Sequence, residues 1–399
     1  MSQPARLVVI AGVYFLIIFT ASTAYNSILT KIFEEEQETK LAPFIFIFNF
    51  GTFMVANLFA PLLKFPEKWL MAVASLCYGL NYLMGFFMFG DNEGLKYVLA
   101  AIGAAVAGLS ASFLWVSIGR YIHKACHFDQ RENEKGHYFG MFNSIYFFNS
   151  VLGGIVVTFG LKIMSHQHYF ILVSCIAVLA FVFGAFFIRD IKDEEQETTE
   201  EKVKLTWKHV LLSTLKFYPA MSSLLGLIFI DGINIGIQSS TIIRLITKTD
   251  DKGHDDLLSG IAITCFGVGC LVGGYAGGKL CDRFQLKRVA MVGVLLFGLS
   301  CLTILAASFI SWYPLTLGVF LFYGFQYSFI TGCELVICSR TFKGAPESFA
   351  IVKQFHCLVF VVYEVIVLLT DNSIPLEYMM PVLFCFALPA WMGLLRLPS

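Results

Sequence analysis

The chain has 399 residues, of which 57% are hydrophobic and only 14% are charged, and its mean hydropathy is +0.73. A water-soluble domain carries about 25% charged residues, so this composition excludes an ordinary soluble fold and indicates a membrane protein. The formal net charge is zero, so bulk charge gives no argument for nucleic-acid binding.

Twelve apolar segments follow one another along the chain, and each is about long enough to cross a lipid bilayer as a helix. No run alternates in polarity as the strands of a membrane barrel would. We therefore predict an all-α integral membrane protein with twelve transmembrane helices, numbered 1 to 12 in chain order. The predicted segments are residues 7–30, 42–63, 68–89, 96–122, 137–162, 167–188, 217–243, 257–279, 288–310, 313–339, 346–370 and 377–396.

A charged segment between helices 6 and 7 divides the chain into two parts. Residues 189–208 include the acidic stretch 193–197 and are predicted to form a solvated linker, with a connective role as the simplest interpretation. The predicted domains are a first six-helix half over residues 1–188, this linker, and a second six-helix half over residues 209–399.

The distribution of basic residues predicts the orientation of the helices. Most of the 28 Lys and Arg residues fall on the side that holds both termini and the linker, whereas acidic groups such as 34–36 and 255–256 fall on the opposite side. The positive-inside rule therefore places the termini in the cytoplasm or its topological equivalent. The sequence has no Asn-x-Ser/Thr sequon, which favours an internal organelle membrane over a glycosylated cell surface.

The loop after helix 8 reads GKLCDRFQLKR over residues 278–288. Gly278 allows two helices to approach closely, and Asp282 can accept hydrogen bonds from the N-terminus of a neighbouring helix, where the helix dipole favours an anion. Arg283 and Arg288 can form charge pairs. These four residues predict either a gate that closes the cytoplasmic side of the bundle or a simple turn that carries the positive charges of that side.

This loop resembles the Gly-x-Leu-x-Asp-Arg-x-Gly-Arg-Arg/Lys loop of the major facilitator superfamily, with Gln285 in place of the usual glycine. The equivalent loop of the first half, residues 61–69, lacks the Asp-Arg pair, so a gate in that half is not predicted. The resemblance implies a 6+6 pseudo-repeat of helices, and transport by alternating access to a central site.

Three further stretches resemble the Unc-ninety-three (uncoordinated) family of that superfamily. They read LWVSIGRY at 114–121, with Ile118 where the family has Gln, GHYFGMF at 136–142, and SFAIVKQF at 348–355. This resemblance implies the same fold but mixed activities, because known roles in the family include regulating an ion channel and escorting innate immune receptors. Two functions therefore stay open: a transporter of a small solute or ion, and a non-transporting accessory or scaffold subunit that binds another membrane-protein complex.

Polar residues inside the predicted helices are candidates for a central cavity. Placing an ionisable side chain in the membrane interior costs about 2.5–3.5 kcal/mol, so such residues are often functional. The candidates are Tyr25 and Asn26 in helix 1, Asp231, Asn234 and Gln238 in helix 7, Glu334 in helix 10, and Lys353, His356 and Glu364 in helix 11.

These residues have two interpretations. They line a polar cavity that holds a substrate or relays protons, or Lys353 pairs with Glu334 or Glu364 and ties helices together without transport. We expect Lys353 to point into the bundle and to lie within hydrogen-bonding or water-bridged reach of a carboxylate, Glu334 first and Asp231 second, because an unpaired ammonium is disfavoured there. Snorkelling of Lys353 to the cytoplasmic surface is the rival expectation.

The sequence contains no catalytic elbow, phosphate-binding loop or HExxH motif, so we do not expect an enzyme or a bound cofactor. His123, Cys126 and His127 have a spacing that a metal ion accepts, but no further ligand is evident, and no metal site is predicted.

The glycines at 269, 273 and 277 have the spacing of a close helix–helix contact. The expected partners are the lipid bilayer, a small-molecule or ion substrate and, for the accessory role, a membrane-protein complex.

Overall fold

The structure is a computed structural model that describes residues 2–35, 40–60, 65–89, 92–127, 134–191, 221–242, 244–246, 255–342, 345–370 and 374–396. Within these ranges the regular secondary structure is helical. Twelve helices, labelled α1 to α12, correspond in order to the twelve predicted segments. Their bounds are α1 Gln3–Glu35, α2 Leu41–Ala56, α3 Glu67–Phe87, α4 Glu93–His127, α5 Lys135–Ile163, α6 His166–Phe187, α7 Leu225–Gly236, α8 Asp255–Arg283, α9 Leu286–Ile310, α10 Tyr313–Thr341, α11 Pro346–Leu369 and α12 Leu376–Leu394.

Among the described residues, ten of these helices are long and apolar enough to cross a membrane. The other two are shorter, since α2 has 16 residues and α7 has 12 before its geometry changes. The prediction of an all-α membrane fold is confirmed. Because consecutive helices alternate in direction, the start of α1 and the end of α12 lie on one side, which we term the terminal side.

Two helices depart from regular α geometry for identifiable reasons. α7 continues as a π-helical turn over Ile237–Thr241. π-helical turns are rare in proteins, and those that occur are often found at functional sites. α12 is interrupted at Phe386, between the stretches Leu376–Cys385 and Ala387–Leu394. Pro389 accounts for this interruption, because proline has no N–H for the carbonyl of Cys385 and its ring clashes with that carbonyl.

α8 lies between α5 and α10, and glycines permit this close packing. A Cβ atom added at Gly269 would lie 2.8 Å from the Phe325 nitrogen in α10, and one added at Gly273 would overlap the same segment of backbone. On its other side α8 meets α5, where a Cβ added at Gly278 would lie 2.6 Å from the Gly140 Cα. Small residues at these positions let the backbones approach, as the sequence spacing predicts.

The first six and the last six helices contact each other along several pairs, including α5 with α8 and α2 with α11. The rings of Phe50 in α2 and Phe360 in α11 have centroids 4.0 Å apart. These contacts enclose a central space between the two sets of helices. Residues 192–208 of the predicted linker lie outside the described residues, and the predicted domain bounds stay predictions.

Candidate functional site: the central cavity

A cavity of about 170 Å³ lies between the two sets of six helices. Its wall is mainly aromatic, with amide and hydroxyl groups among the rings. The lining side chains of α1 to α5 include Phe19, Ser22, Thr23, Asn26, Phe46, Asn49, Phe50, Tyr78, Trp115, Tyr146 and Phe147. Those of the later helices include Gln238, Ser239, Ile263, Phe266, Phe320, Tyr327, Thr331, Lys353 and His356.

Four polar residues, which we term the floor cluster, lie at the terminal-side end of this cavity. Thr331, Lys353 and His356 line the cavity, and Asp231 contacts Thr331 and His356 without lining it. The Asp231 carboxylate is fully buried and accepts a hydrogen bond of 2.9 Å from the Thr331 hydroxyl. His356 Nδ1 lies 2.7 Å from the other carboxylate oxygen. Because an ionised carboxylate only accepts, Nδ1 carries the proton in this pair, and the ring is held in one orientation.

Lys353 belongs to the cavity wall rather than to an ion pair. Its side chain is buried, with the residue only 6% exposed, and Nζ lies 4.6 Å from the centroid of the Trp115 ring. No carboxylate of a described residue lies within 4.0 Å of Nζ. The structure therefore places Lys353 inside the bundle, as expected, with a cation–π contact to Trp115. It interacts electrostatically with Asp231 and Glu334, the two expected carboxylates, at more than 4.0 Å.

Glu334, the first expected partner of Lys353, lies outside the cavity wall. It is 2% exposed, and neither carboxyl oxygen makes a hydrogen bond with a described residue. It interacts electrostatically with both Asp231 and Lys353. Glu334 thus forms a buried acidic neighbour of the floor cluster.

The remaining candidates divide between the cavity and the packed interior. Asn26 and Gln238 line the cavity. Tyr25 packs within the first six helices, with its ring 4.8 Å from Tyr82 between centroids. The Asn234 side chain is buried without a hydrogen bond to a described residue, and Glu364 accepts a hydrogen bond from Ser240 in the π-helical turn. Tyr25, Asn234 and Glu364 are therefore not cavity residues in this conformation.

The terminal side of the cavity is closed by contacts between the two sets of helices. In one contact the ring of Phe349 in α11 covers Gly119 in α4, where an added Cβ would lie 2.8 Å from a ring carbon. In another, His123 Nδ1 lies 3.1 Å from the Ser339 hydroxyl of α10. The cavity extends from this closure towards Asn26, near the far end of α1.

Asp282 belongs to the same closure. Its two carboxylate oxygens accept hydrogen bonds from the backbone N–H groups of Gly136 at 2.9 Å and His137 at 2.6 Å, in the first turn of α5. A helix N-terminus presents unpaired N–H groups and a positive dipole end, so an anion is favoured there. Gly278 is pressed against Gly136 and Gly140 one turn earlier, which brings α8 close enough for these bonds.

The cation that pairs with Asp282 is Arg340, at the end of α10. Arg340 also donates to the Cys281 carbonyl at 2.8 Å. Arg283 and Arg288, which were expected to form charge pairs, are exposed and make no ion pair with another described residue. Arg283 is the last residue of α8 and Arg288 lies in the first turn of α9, whereas Arg340, in the last turn of α10, pairs with Asp282. Charge pairs made by Arg283 and Arg288 stay a prediction.

The first six helices contain a second cluster of charges, in which one carboxylate contacts two basic side chains. Glu67, in the first turn of α3, is buried and lies 3.2 Å from Arg120 and 2.9 Å from Lys124 of α4. Both partners belong to the same set of six helices, so this group joins α3 to α4 and does not cross the cavity. The three charged residues are evident in the sequence, but the sequence does not predict that they contact one another.

Trp115, Thr331 and Arg340 are contact residues of this site that sequence reasoning did not select. Trp115 and Thr331 are uncharged, and only tertiary packing brings them to Lys353 and Asp231. Arg340 could have been selected from the sequence, because the helix dipole favours a cation in the last turn of a helix. Among the described residues, no group of three His, Cys, Asp or Glu side chains could hold a metal ion.

The sequence model of the Major Facilitator Superfamily matches residues 7–362. The chain belongs to the major facilitator superfamily. The match covers most of the chain and agrees with the twelve helices and the central cavity. Members of this superfamily are typically transporters rather than enzymes. The comparison with curated proteins found no match.

Proposed function

We propose that this protein moves a small solute or ion across its membrane by alternating access to the central cavity. The observation that carries the proposal is the floor cluster, in which a buried Asp231–His356 pair and Lys353 stand at the closed end of a cavity lined from both sets of helices. Burying ionisable groups in a membrane is costly, and such groups mark paths for substrates or protons.

Alternating access requires the terminal-side contacts to break while contacts on the opposite side form. The bonds of Asp282 to α5 and the contact of His123 with Ser339 are short-range and polar, so they can be exchanged for water when this side opens. The π-helical turn of α7 supplies Gln238 and Ser239 to the cavity, at a point where a helix can change its geometry at low cost.

Uptake into proteoliposomes tests the proposal. A panel of labelled metabolites is offered to the wild type, to Asp231→Asn and to a His123→Cys/Ser339→Cys double variant treated with a short, cleavable thiol cross-linker. We expect accumulation of at least one compound by the wild type, loss in Asp231→Asn, and loss in the cross-linked variant that is reversed by cleavage. Asp190→Asn, at an exposed position, is the matched control. No accumulation above protein-free vesicles would contradict transport.

An accessory role is the second candidate, and the Unc-ninety-three resemblance favours it. The stretches 114–121, 136–142 and 348–355 meet at the terminal-side closure, where Phe139 and Phe349 have ring centroids 6.5 Å apart. A closure that never opens would leave a rigid body suited to binding another membrane protein. A stable stoichiometric complex, purified from native membranes together with absent uptake, supports this role.

We further propose that the terminal side faces the cytoplasm or its equivalent, in an internal membrane. The excess of basic residues on that side supports the orientation. Impermeant labelling of single cysteines and imaging of the tagged chain test the two statements separately.

A further inference from the structure

The wall of the cavity carries one positive charge, and no carboxylate of a described residue lines it. Lys353 is the only lining residue among those described with a permanent charge, and the aromatic face of Trp115 is its close contact. Asp231 does not line the cavity: Thr331 and His356 engage its oxygens, and it interacts electrostatically with Lys353 at more than 4.0 Å. Glu334 and Glu364 do not line the cavity. A ligand that enters therefore meets an ammonium group.

The rest of the wall is mainly aromatic, with amide and hydroxyl groups among the rings, and it fits a body that is largely apolar. The rings of Phe19 and Tyr146 contact the Trp115 ring, over which Lys353 lies. Phe50, Phe147 and Phe266 extend the aromatic wall. The volume of about 170 Å³ is close to that of an engineered apolar protein cavity of about 150 Å³ that admits benzene. A molecule with one six-membered ring and one charged group matches both the size and the chemistry.

From this arrangement we infer that the cavity binds a small organic monoanion, a carboxylate on an aromatic or similarly bulky apolar body, with its charge on Lys353 Nζ. The inference rests on the proposed function and names its substrate class. A carboxylate gives the buried ammonium a charge-assisted hydrogen bond, which is about twice as strong as a neutral one. A cationic ligand would be repelled, and a neutral ligand would add no charged partner inside the cavity for Lys353.

Three probes of nearly equal size separate these cases: benzoate, benzamide and benzylammonium. Binding to the purified full-length protein in detergent is measured by thermal stabilisation and calorimetry at millimolar probe concentrations. For the wild type we expect benzoate to bind at least about tenfold more tightly than benzamide, and benzylammonium not to bind. Preference for benzamide or benzylammonium, or no binding of benzoate, overturns the inference.

Variants assign the preference to Lys353. Lys353→Gln should remove the preference for benzoate over benzamide, and Lys353→Arg, which keeps the charge, should retain it. The matched control is Lys279→Gln, because Lys279 also stands over an aromatic ring, at 5.2 Å from the centroid of Tyr275, but outside the cavity. A preference that persists in folded Lys353→Gln assigns Lys353 a purely structural role and refutes the inference.

Failure of this inference and failure of the proposed function are distinguishable. Probe binding in detergent does not require the protein to transport. Uptake of a neutral or cationic metabolite would support transport and contradict the assignment of an anionic substrate. Selective benzoate binding by a protein whose terminal side never opens would keep the anion site and reject alternating access.

Discussion

Replacing Asp282 by Asn tests how the terminal side is held closed. The two carboxylate oxygens serve three donors: the N–H groups of Gly136 and His137, and the guanidinium of Arg340. Asn keeps one oxygen and turns the other into an NH₂ group, so at least one donor loses its acceptor and faces another donor. The side chain keeps its size, and the contact loses its negative charge.

The size of the effect follows from the bonds that are lost. A hydrogen bond to a charged group contributes about 1.5–3 kcal/mol, and about 1.4 kcal/mol changes an equilibrium tenfold. The Asp282 side chain is 16% exposed and that of Arg340 is 23% exposed, so solvent screening places the effect at the lower end of this range. We therefore expect Asp282→Asn to shift the balance by roughly tenfold towards the form that is open on the terminal side.

Distances between spin labels at Phe65 and Gln285, exposed positions on the terminal side of the two sets of helices, report this balance. The labels are placed in a background without the exposed Cys175 and Cys385. The variant should gain a population with a longer distance, and Asp190→Asn should match the wild type. An unchanged distance distribution in a well-expressed Asp282→Asn protein would show that Asp282 does not hold the closure.

Two further predictions concern topology and packing. Single cysteines at Ser2 and Gln196 should be labelled by an impermeant reagent from the same side of the membrane; labelling from opposite sides would refute the helix count. Gly269→Ala should destabilise the protein by about 1–3 kcal/mol and lower its Tm in detergent, because the new methyl overlaps the backbone at Leu321. Gly318→Ala, where an added Cβ has no neighbour within 4 Å, is the control, and an equal Tm for both variants would contradict this packing argument.

The helices were predictable from the sequence because bilayer crossing depends on the length and hydropathy of local segments. The π-helical turn at Ile237–Thr241 and the interruption at Phe386 were not predicted. The interruption had a signal in Pro389, whereas the π-helical turn carries no comparable local signature. The contact of Asp282 with a helix N-terminus was predicted from the motif loop, although not which helix it is. The helix dipole stabilises an anion at any helix N-terminus, so the type of contact does not depend on the details of packing.

The partners inside the cavity could not be predicted in the same way. Lys353 was selected because it is charged within an apolar segment, but its contact with Trp115 depends on how α4 and α11 pack against each other. Asp231 and His356 were both selected, yet their pairing depends on the approach of α7 to α11, which Gly232 permits by lying against the backbone of His356. Single-residue chemistry identifies candidates, and tertiary packing decides their partners.

Alternating access is tested most directly by labelling a single cysteine at Gln238, which lines the cavity. Membrane-impermeant thiol reagents are applied from each side in turn, in a background without Cys175 and Cys385. The account predicts labelling of Gln238→Cys from both sides, and loss of labelling from the terminal side alone when cysteines added at positions 123 and 339 are cross-linked. Labelling that occurs from one side only, whether or not the cross-link is present, would contradict alternating access.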